Sequence, residues 1–244
     1  MKRLAHYSQY FLRNPGFVAQ LVRAAGVTKQ DHVLDIGAGS GIVTHALAER
    51  TKQVTAIEYE PRTVIKLRDN MAKHHNVTVV EADILEYKLP SDTYKVFANI
   101  PFHLSSQILR LLISASVPPV AIYLIVQKQF AKKIVQSNDH FTGALGMMVG
   151  PQYDARIVKR LKRTDFWPHP NVDTVLLGLE QREQPLLPPI EMVRYRKYVE
   201  DCYHDPKMFS RAPLGIINVP TTVKPSQLSL MQWAQLYLAT LRQR

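Results

Sequence analysis

The chain has 244 residues, 46% hydrophobic and 21% charged, which allows one large domain plus an appendage and is ordinary for a soluble globular protein. Its 31 Lys and Arg against 20 Asp and Glu leave a net charge of +11, which favours a polyanionic partner; surplus charge serving solubility alone is the alternative. A single cysteine, Cys202, excludes an intramolecular disulfide framework and a cysteine-rich zinc site, and no metal site is expected.

In chain order, Met1–Ser8 is basic but lacks the apolar stretch of a signal peptide. A helix is predicted over Gly16–Ala25, then a strand over His32–Ile36 and a helix over Gly41–Arg50. Strands follow at Val54–Glu58, Val77–Val80, Tyr94–Ala98 and Val120–Val126, with helices at Pro61–His75, opened by Pro61 in its first turn, and at Leu104–Ser114. Val117–Val126, the longest apolar stretch, holds two prolines and is too short to span a bilayer. The protein is therefore expected to be soluble and cytoplasmic, without a membrane partner, and is taken as a monomer.

After Lys128 the pattern changes. Strands over Gln152–Arg160 and Thr174–Glu180 flank the loop Asp165–Pro170, and with no room for a crossover helix they should pair antiparallel. Gln181–Pro189 reads as a linker, and the last stretch, about 55 residues, as helical and basic. The alternation predicts an α/β fold: a Rossmann-like sheet of seven strands, the last pair antiparallel, over residues 1–180, then a small helical accessory domain over 181–244 as a candidate RNA-binding element.

The first strand runs into Asp35-Ile36-Gly37-Ala38-Gly39-Ser40-Gly41. Glycines at alternate positions let the backbone turn sharply and admit a ligand where a Cβ would collide. A dinucleotide fingerprint would place the third glycine one residue later and seat a pyrophosphate on the helix N-terminus. Here Asp35 precedes the loop, repelling an anion and suiting the cationic amino and sulfonium groups of S-adenosylmethionine, which is favoured over NAD. Glu58 ends the second strand, where a carboxylate accepts hydrogen bonds from ribose hydroxyls. Asp83 follows the third strand and is placed for the cofactor's adenine amino group, or is a turn aspartate. The three acids share the C-terminal edge of the predicted sheet, where ligands of parallel sheets bind.

Asn99-Ile100-Pro101-Phe102 follows the fourth strand at the same edge. An adenine amino lone pair is delocalised into the ring and is a poor nucleophile. A side-chain oxygen from Asn99 and the Ile100 carbonyl, accepting both amino hydrogens, would draw that nitrogen toward a pyramidal geometry, with Pro101 stiffening the turn and Phe102 stacking on an extruded base. Taken alone, Asn-x-Pro is also a common turn. Phe166 either clamps the base from the other face or is a core aromatic, and Trp167 shapes the rim or is core. Arg156, Lys159, Arg160, Lys162 and Arg163 form a basic cluster suited to RNA phosphates, extended by Lys128, Lys132 and Lys133 unless these are a solvated helix face.

Asp35–Gly41, Glu58, Asp83, Asn99–Phe102 and Phe166–Thr174 together resemble the rRNA adenine N6-methyltransferases, over roughly residues 5–180. The run Asn99–Leu109 looks like the erythromycin-resistance (Erm) branch, whose members methylate one adenine of 23S rRNA and block macrolide, lincosamide and streptogramin B binding. The resemblance implies an S-adenosylmethionine cofactor and rRNA, 23S first, as partner. It also adds Gln9, Phe11, Leu12, Tyr59, Ile84 and Asn99 to the cofactor contacts, the first three from Ser8–Leu12, similar to the family's N-terminal lid. Phe102 stands where the family more often has Tyr, Ser8 and Tyr10 vary the lid motif, and the segment after Glu180 matches weakly. The rivals are the branch that dimethylates two adjacent adenines of small-subunit (16S) rRNA, a non-catalytic nucleic-acid-binding relative, and a DNA adenine methyltransferase. His103-Leu104-Ser105 and the short C-terminal segment favour the resistance branch over the first.

Overall fold

The computed structural model describes residues 10–135 and 143–242; Ser8 and Gln9 lie outside the described residues. The elements are β1 (Phe11–Leu12), α1 (Pro15–Ala24), β2 (His32–Ile36), α2 (Ile42–Ala48), β3 (Gln53–Glu58), α3 (Pro61–Met71), β4 (Val77–Glu81), β5 (Lys95–Asn99), α4 (Ser105–Ile113) and β6 (Ala121–Gln127). Then come α5 (Lys128–Lys132), α6 (Ala144–Val149), β7 (Tyr153–Leu161), β8 (Phe166–Trp167), β9 (Thr174–Gln181), α7 (Met192–His204), α8 (Pro206–Ser210) and α9 (Leu230–Arg242).

A seven-stranded sheet runs in the order β4-β3-β2-β5-β6-β9-β7. Strands β2 to β6 are parallel, in a register that sets Asp35 beside Ala56, Glu58 beside Glu81 and Asn99 beside Ile125, and the end pair is antiparallel. Each strand predicted from the sequence is present within a residue at either end. Strand burial follows position: β6, inside the sheet, is buried along nearly its whole length, whereas the edge strand β4 is only half-buried.

Local signals explain the helices. Asn14 caps α1, its Oδ1 accepting from Phe17 N at 3.0 Å, with Pro15 at the first helical position; the helix buries Val18, Leu21 and Val22, its packing neighbour being α2. Each such side chain taken from water contributes roughly 1.5–3 kcal/mol. Pro61 opens α3 as predicted, but the helix ends at Met71 rather than His75, because His74 N folds back onto the Met71 carbonyl at 2.8 Å. The sequence missed β1 and β8, which pair antiparallel (Phe11 with Trp167, Leu12 with Phe166). Two residues carry no periodicity, and the pairing joins segments about 155 residues apart.

The chain forms two compact units, residues 1–131 with 157–179, and residues 132–156 with 180–244. The predicted boundary at 180 therefore needs correcting: residues 132–156 belong with the C-terminal segment. There α6 packs on α7, Gly150 abuts Leu230, and the buried Arg196 donates to the Met148 carbonyl and to Gln152 Oε1. The core of the first unit gathers Leu21, Val33, Leu47, Val54, Phe97, Tyr123, Ile125 and Leu176. Among the described residues no helix is long and apolar enough to cross a membrane.

Candidate active site

A cavity of about 360 Å³ opens at the C-terminal ends of β2, β3 and β5, within the usual size of small-ligand pockets. It lies where the strand order reverses, since β3 and β4 extend to one side of β2 and β5 and β6 to the other. The chain connections leaving the strand ends on the two sides of this point diverge, and the crevice that results is where ligands enter doubly wound sheets.

The loop after β2 forms one wall. Gly37 N and Ala38 N donate to the Ile57 carbonyl at 2.8 and 3.1 Å, fastening the loop to β3. Gly39, at φ 58°, turns its N–H onto Glu58 Oε2 at 2.8 Å. Gly41 does different work: at φ 97° it packs so closely that a Cβ would meet Leu67 Cδ1 and Met71 Cε at 2.9 Å, so it serves helix packing and does not line the cavity.

The three predicted acids part company. Glu58 and Asp83 line the cavity; Asp35 does not. Asp35 is buried beneath the loop, where Thr44 Oγ1 donates to its Oδ2 at 2.7 Å. Burial pushes its carboxyl up to about 7, the Thr44 bond opposes this, and the neighbouring Glu58 charge adds to it. Asp35 is thus held by α2 and does not line the cavity, in contrast to the direct contact expected of it. Glu58 accepts from Gly39 N through Oε2, and from Tyr59 N and Glu60 N through Oε1, the latter two at 3.0 Å. Of about four carboxylate lone-pair positions one remains for a ligand hydroxyl. Asp83 Oδ1 accepts from Leu85 N at 2.9 Å, leaving its second oxygen for a ligand donor.

Tyr10, Phe11, Tyr59, Ile84, Asn99, Ile100, Pro101 and Phe102 also line the cavity, whereas Leu12 is buried in the core. Asn99 Nδ2 donates to the Tyr10 carbonyl at 2.7 Å. That bond orients the amide and leaves Oδ1 without a partner among the described residues. Tyr10 and Phe102 form a tilted ring pair with centroids 5.3 Å apart. The turn beyond is closed by Leu104 N on the Pro101 carbonyl at 3.0 Å and Ser105 Oγ on the Phe102 carbonyl at 2.9 Å. The Tyr10 carbonyl, Thr44 and the apolar lining residue Ile108 escaped the sequence reading, because a backbone carbonyl or a helix-face residue bears no chemical signature.

Phe166 takes the core alternative. It is 0% exposed among Leu12, Phe97 and Leu161, while Trp167 is 57% exposed. The β1–β8 pairing decides this: successive residues of a strand face opposite sides, so Leu12 and Phe166 turn inward while Phe11 and Trp167 turn outward. The Arg13 guanidinium lies 5.5 Å from the Trp167 ring centroid. Of the predicted cluster, Arg156 pairs with Glu180 at 2.7 Å, and Lys128 and Arg163 share Asp173 at 3.4 and 3.7 Å. The side chains of Arg160 and Lys162 are exposed and, among the described residues, form no ion pair; Lys132 and Lys133 are exposed in the other unit.

The residues present fit S-adenosylmethionine. Two carboxylates with spare acceptor capacity, glycine backbone and apolar side chains line the cavity, and among the described residues no Lys or Arg does. A ligand carrying hydroxyls, an amino group and positive charge suits these walls; a pyrophosphate does not.

A model of the ribosomal RNA adenine dimethylase family matches residues 2–205. The small-subunit rRNA methyltransferase A of Latilactobacillus sakei is 28% identical over 93% of this chain and 86% of its own length. That of Streptococcus gordonii is 35% identical over 73% of this chain but only 65% of the relative. The crystal structure of the 23S rRNA methyltransferase ErmE superposes with a TM-score of 0.78 at 27% identity, covering 93% of this chain and 98% of that one.

Proposed function

The chain belongs to the ribosomal RNA adenine dimethylase family, S-adenosylmethionine-dependent rRNA adenine N6-methyltransferases, and we propose that it methylates adenine N6 in small-subunit (16S) rRNA. The observation that carries the chemistry is Asn99: its amide is anchored on the Tyr10 carbonyl, and its Oδ1 is left as an acceptor at the cavity wall. Relatives named for the small subunit, which align with most of the chain, support this reading over the expectation from the Asn99–Leu109 run that 23S rRNA comes first.

Glu58, Asp83, Ile84, Tyr59 and the Gly37–Gly39 backbone are the residues that would hold the cofactor; when bound, it supplies an electrophilic methyl group. The chain's own contribution is positioning. Asn99 Oδ1 and the Ile100 carbonyl accept the two amino hydrogens, which withdraws the nitrogen lone pair from the ring and directs it into the cavity. Phe102 offers a face for the base. The alkylated nitrogen is acidic and loses its proton to water, so a strong protein base is not required. Arg160 and Lys162 are among the exposed cations that would meet phosphates.

A second reading is methylation of 23S rRNA at one adenine, favoured by the superposition on ErmE over nearly all of that chain. One experiment separates them: incubation with tritiated S-adenosylmethionine and protein-free 16S or 23S rRNA, then primer extension on the labelled species. Stops at adjacent adenines of 16S rRNA are expected. A stop at one adenine of 23S rRNA would transfer the protein to the second reading. Label in neither, with cofactor binding intact, would remove both.

A further inference from the structure

Away from the cavity, two imidazoles face each other at the end of α2. His45 Nδ1 and His74 Nε2 are 2.9 Å apart, 29 residues separate them in sequence, and their rings stand at 80°. Glu49, one helical turn beyond His45, brings Oε1 to 3.8 Å from His74 Nδ1. One ligand atom from each of the three residues lies within 4.8 Å of the others. The spacing of His45 and Glu49 puts both on one helix face. The turn carrying His74 is fixed independently: Val77 N donates to the His74 carbonyl at 3.1 Å, and Asn76 Nδ2 donates to the Ala48 and Thr51 carbonyls at 2.9 and 3.2 Å, tying the turn to the end of α2. None of the three side chains lines the cavity.

We propose that His45, His74 and Glu49 bind a divalent transition-metal cation, zinc foremost, contrary to the expectation drawn from the lone cysteine. Two imidazole nitrogens and a carboxylate are a zinc donor set, and three protein ligands leave a fourth position for water. Nitrogens on a tetrahedral zinc stand roughly 3.3 Å apart, so the two rings need to part by only a few tenths of an ångström. Glu49 is mostly exposed, and to complete the set its carboxylate turns from the outer nitrogen of His74, beside which Oε1 lies, to the side of the two facing nitrogens. In the metal-free protein a single N–H bridges the two facing nitrogens. On binding, each neutral ring carries its proton on its outer nitrogen and turns a lone pair to the metal. The cation then cross-links the C-terminal end of α2 to the turn between α3 and β4.

The test uses the full chain, free of any affinity tag and stripped with chelator, titrated with zinc chloride by calorimetry and with cobalt(II) by visible absorption. One equivalent should bind with micromolar affinity or tighter, with the visible bands of a tetrahedral cobalt site. His45→Ala and His74→Ala should each weaken binding about tenfold or more, with His45→Gln as the milder partner where folding suffers, judged by circular dichroism. His75→Ala, an exposed neighbour in the same turn, should leave the affinity unchanged. Absence of saturable one-to-one binding, or equal binding by a His45→Ala/His74→Ala double variant, would overturn the proposal.

Discussion

The cavity wall and the interior of the C-terminal unit hold their side chains by opposite means. At the wall, backbone groups do the holding: the Tyr10 carbonyl fixes Asn99, and three N–H groups fix Glu58. In the C-terminal unit, rings hold one another. Trp233, 0% exposed, packs against Tyr203 at 5.7 Å, Phe209 at 5.8 Å and Tyr198 at 6.2 Å between ring centroids, with its indole N–H on the Pro225 carbonyl at 3.2 Å. Where backbone does the holding, a side chain is removable at little cost to the fold and great cost to the chemistry. Where side chains fill space for one another, removing one leaves a void that its neighbours close only in part.

The comparison breaks most visibly at Trp233. Trp233→Ala should cost about 3–5 kcal/mol and lower the melting temperature by roughly 10 °C, with cofactor affinity per folded molecule unchanged. Scanning calorimetry and isothermal titration measure the two; a stable variant would place the unit's stability elsewhere. Asn99→Ala should do the reverse, reducing turnover about a hundred- to a thousandfold while melting temperature and cofactor affinity hold. Full activity would remove Asn99 from the chemistry.

Asp35 sharpens the contrast, because it belongs to the site's neighbourhood yet is held like a core residue. Its carboxyl is raised to about 7 in the folded chain, so the folded state binds more protons than the unfolded state between that value and the ordinary aspartate range. The stability it contributes is therefore complete in acid and lost as pH rises through about 7, an effect on the order of a few kcal/mol. Asp35→Asn, which retains an acceptor for Thr44, should flatten urea-measured stability between pH 4 and 8. An unaltered pH slope would show that Asp35 is ionised throughout. The smallest effect belongs to the surface: Arg160→Glu with Lys162→Glu should weaken rRNA binding and lower the slope of log affinity against log salt by about one for each phosphate no longer neutralised, with melting unchanged. An identical slope in filter binding would direct attention to another face.

What the sequence determined by itself was whatever is local or periodic. The β-branched runs placed all seven strands of the sheet, Pro61 opened α3, and the strand ends brought Glu58, Asp83 and Asn99 to one edge, because the parallel polarity of the strands follows from alternation with helices. Tertiary structure decided what depends on pairing between distant segments. A ribbon of two residues on each side turned Phe166 into the core and Trp167 out of it. A hydroxyl from α2 holds Asp35, which does not line the cavity, and α6 packs on α7 in the unit that takes residues 132–156 with the C-terminal segment. The Tyr10 carbonyl that orients Asn99 lies 89 residues before it. Every residue has a backbone carbonyl, so only the folded chain selects the one that matters.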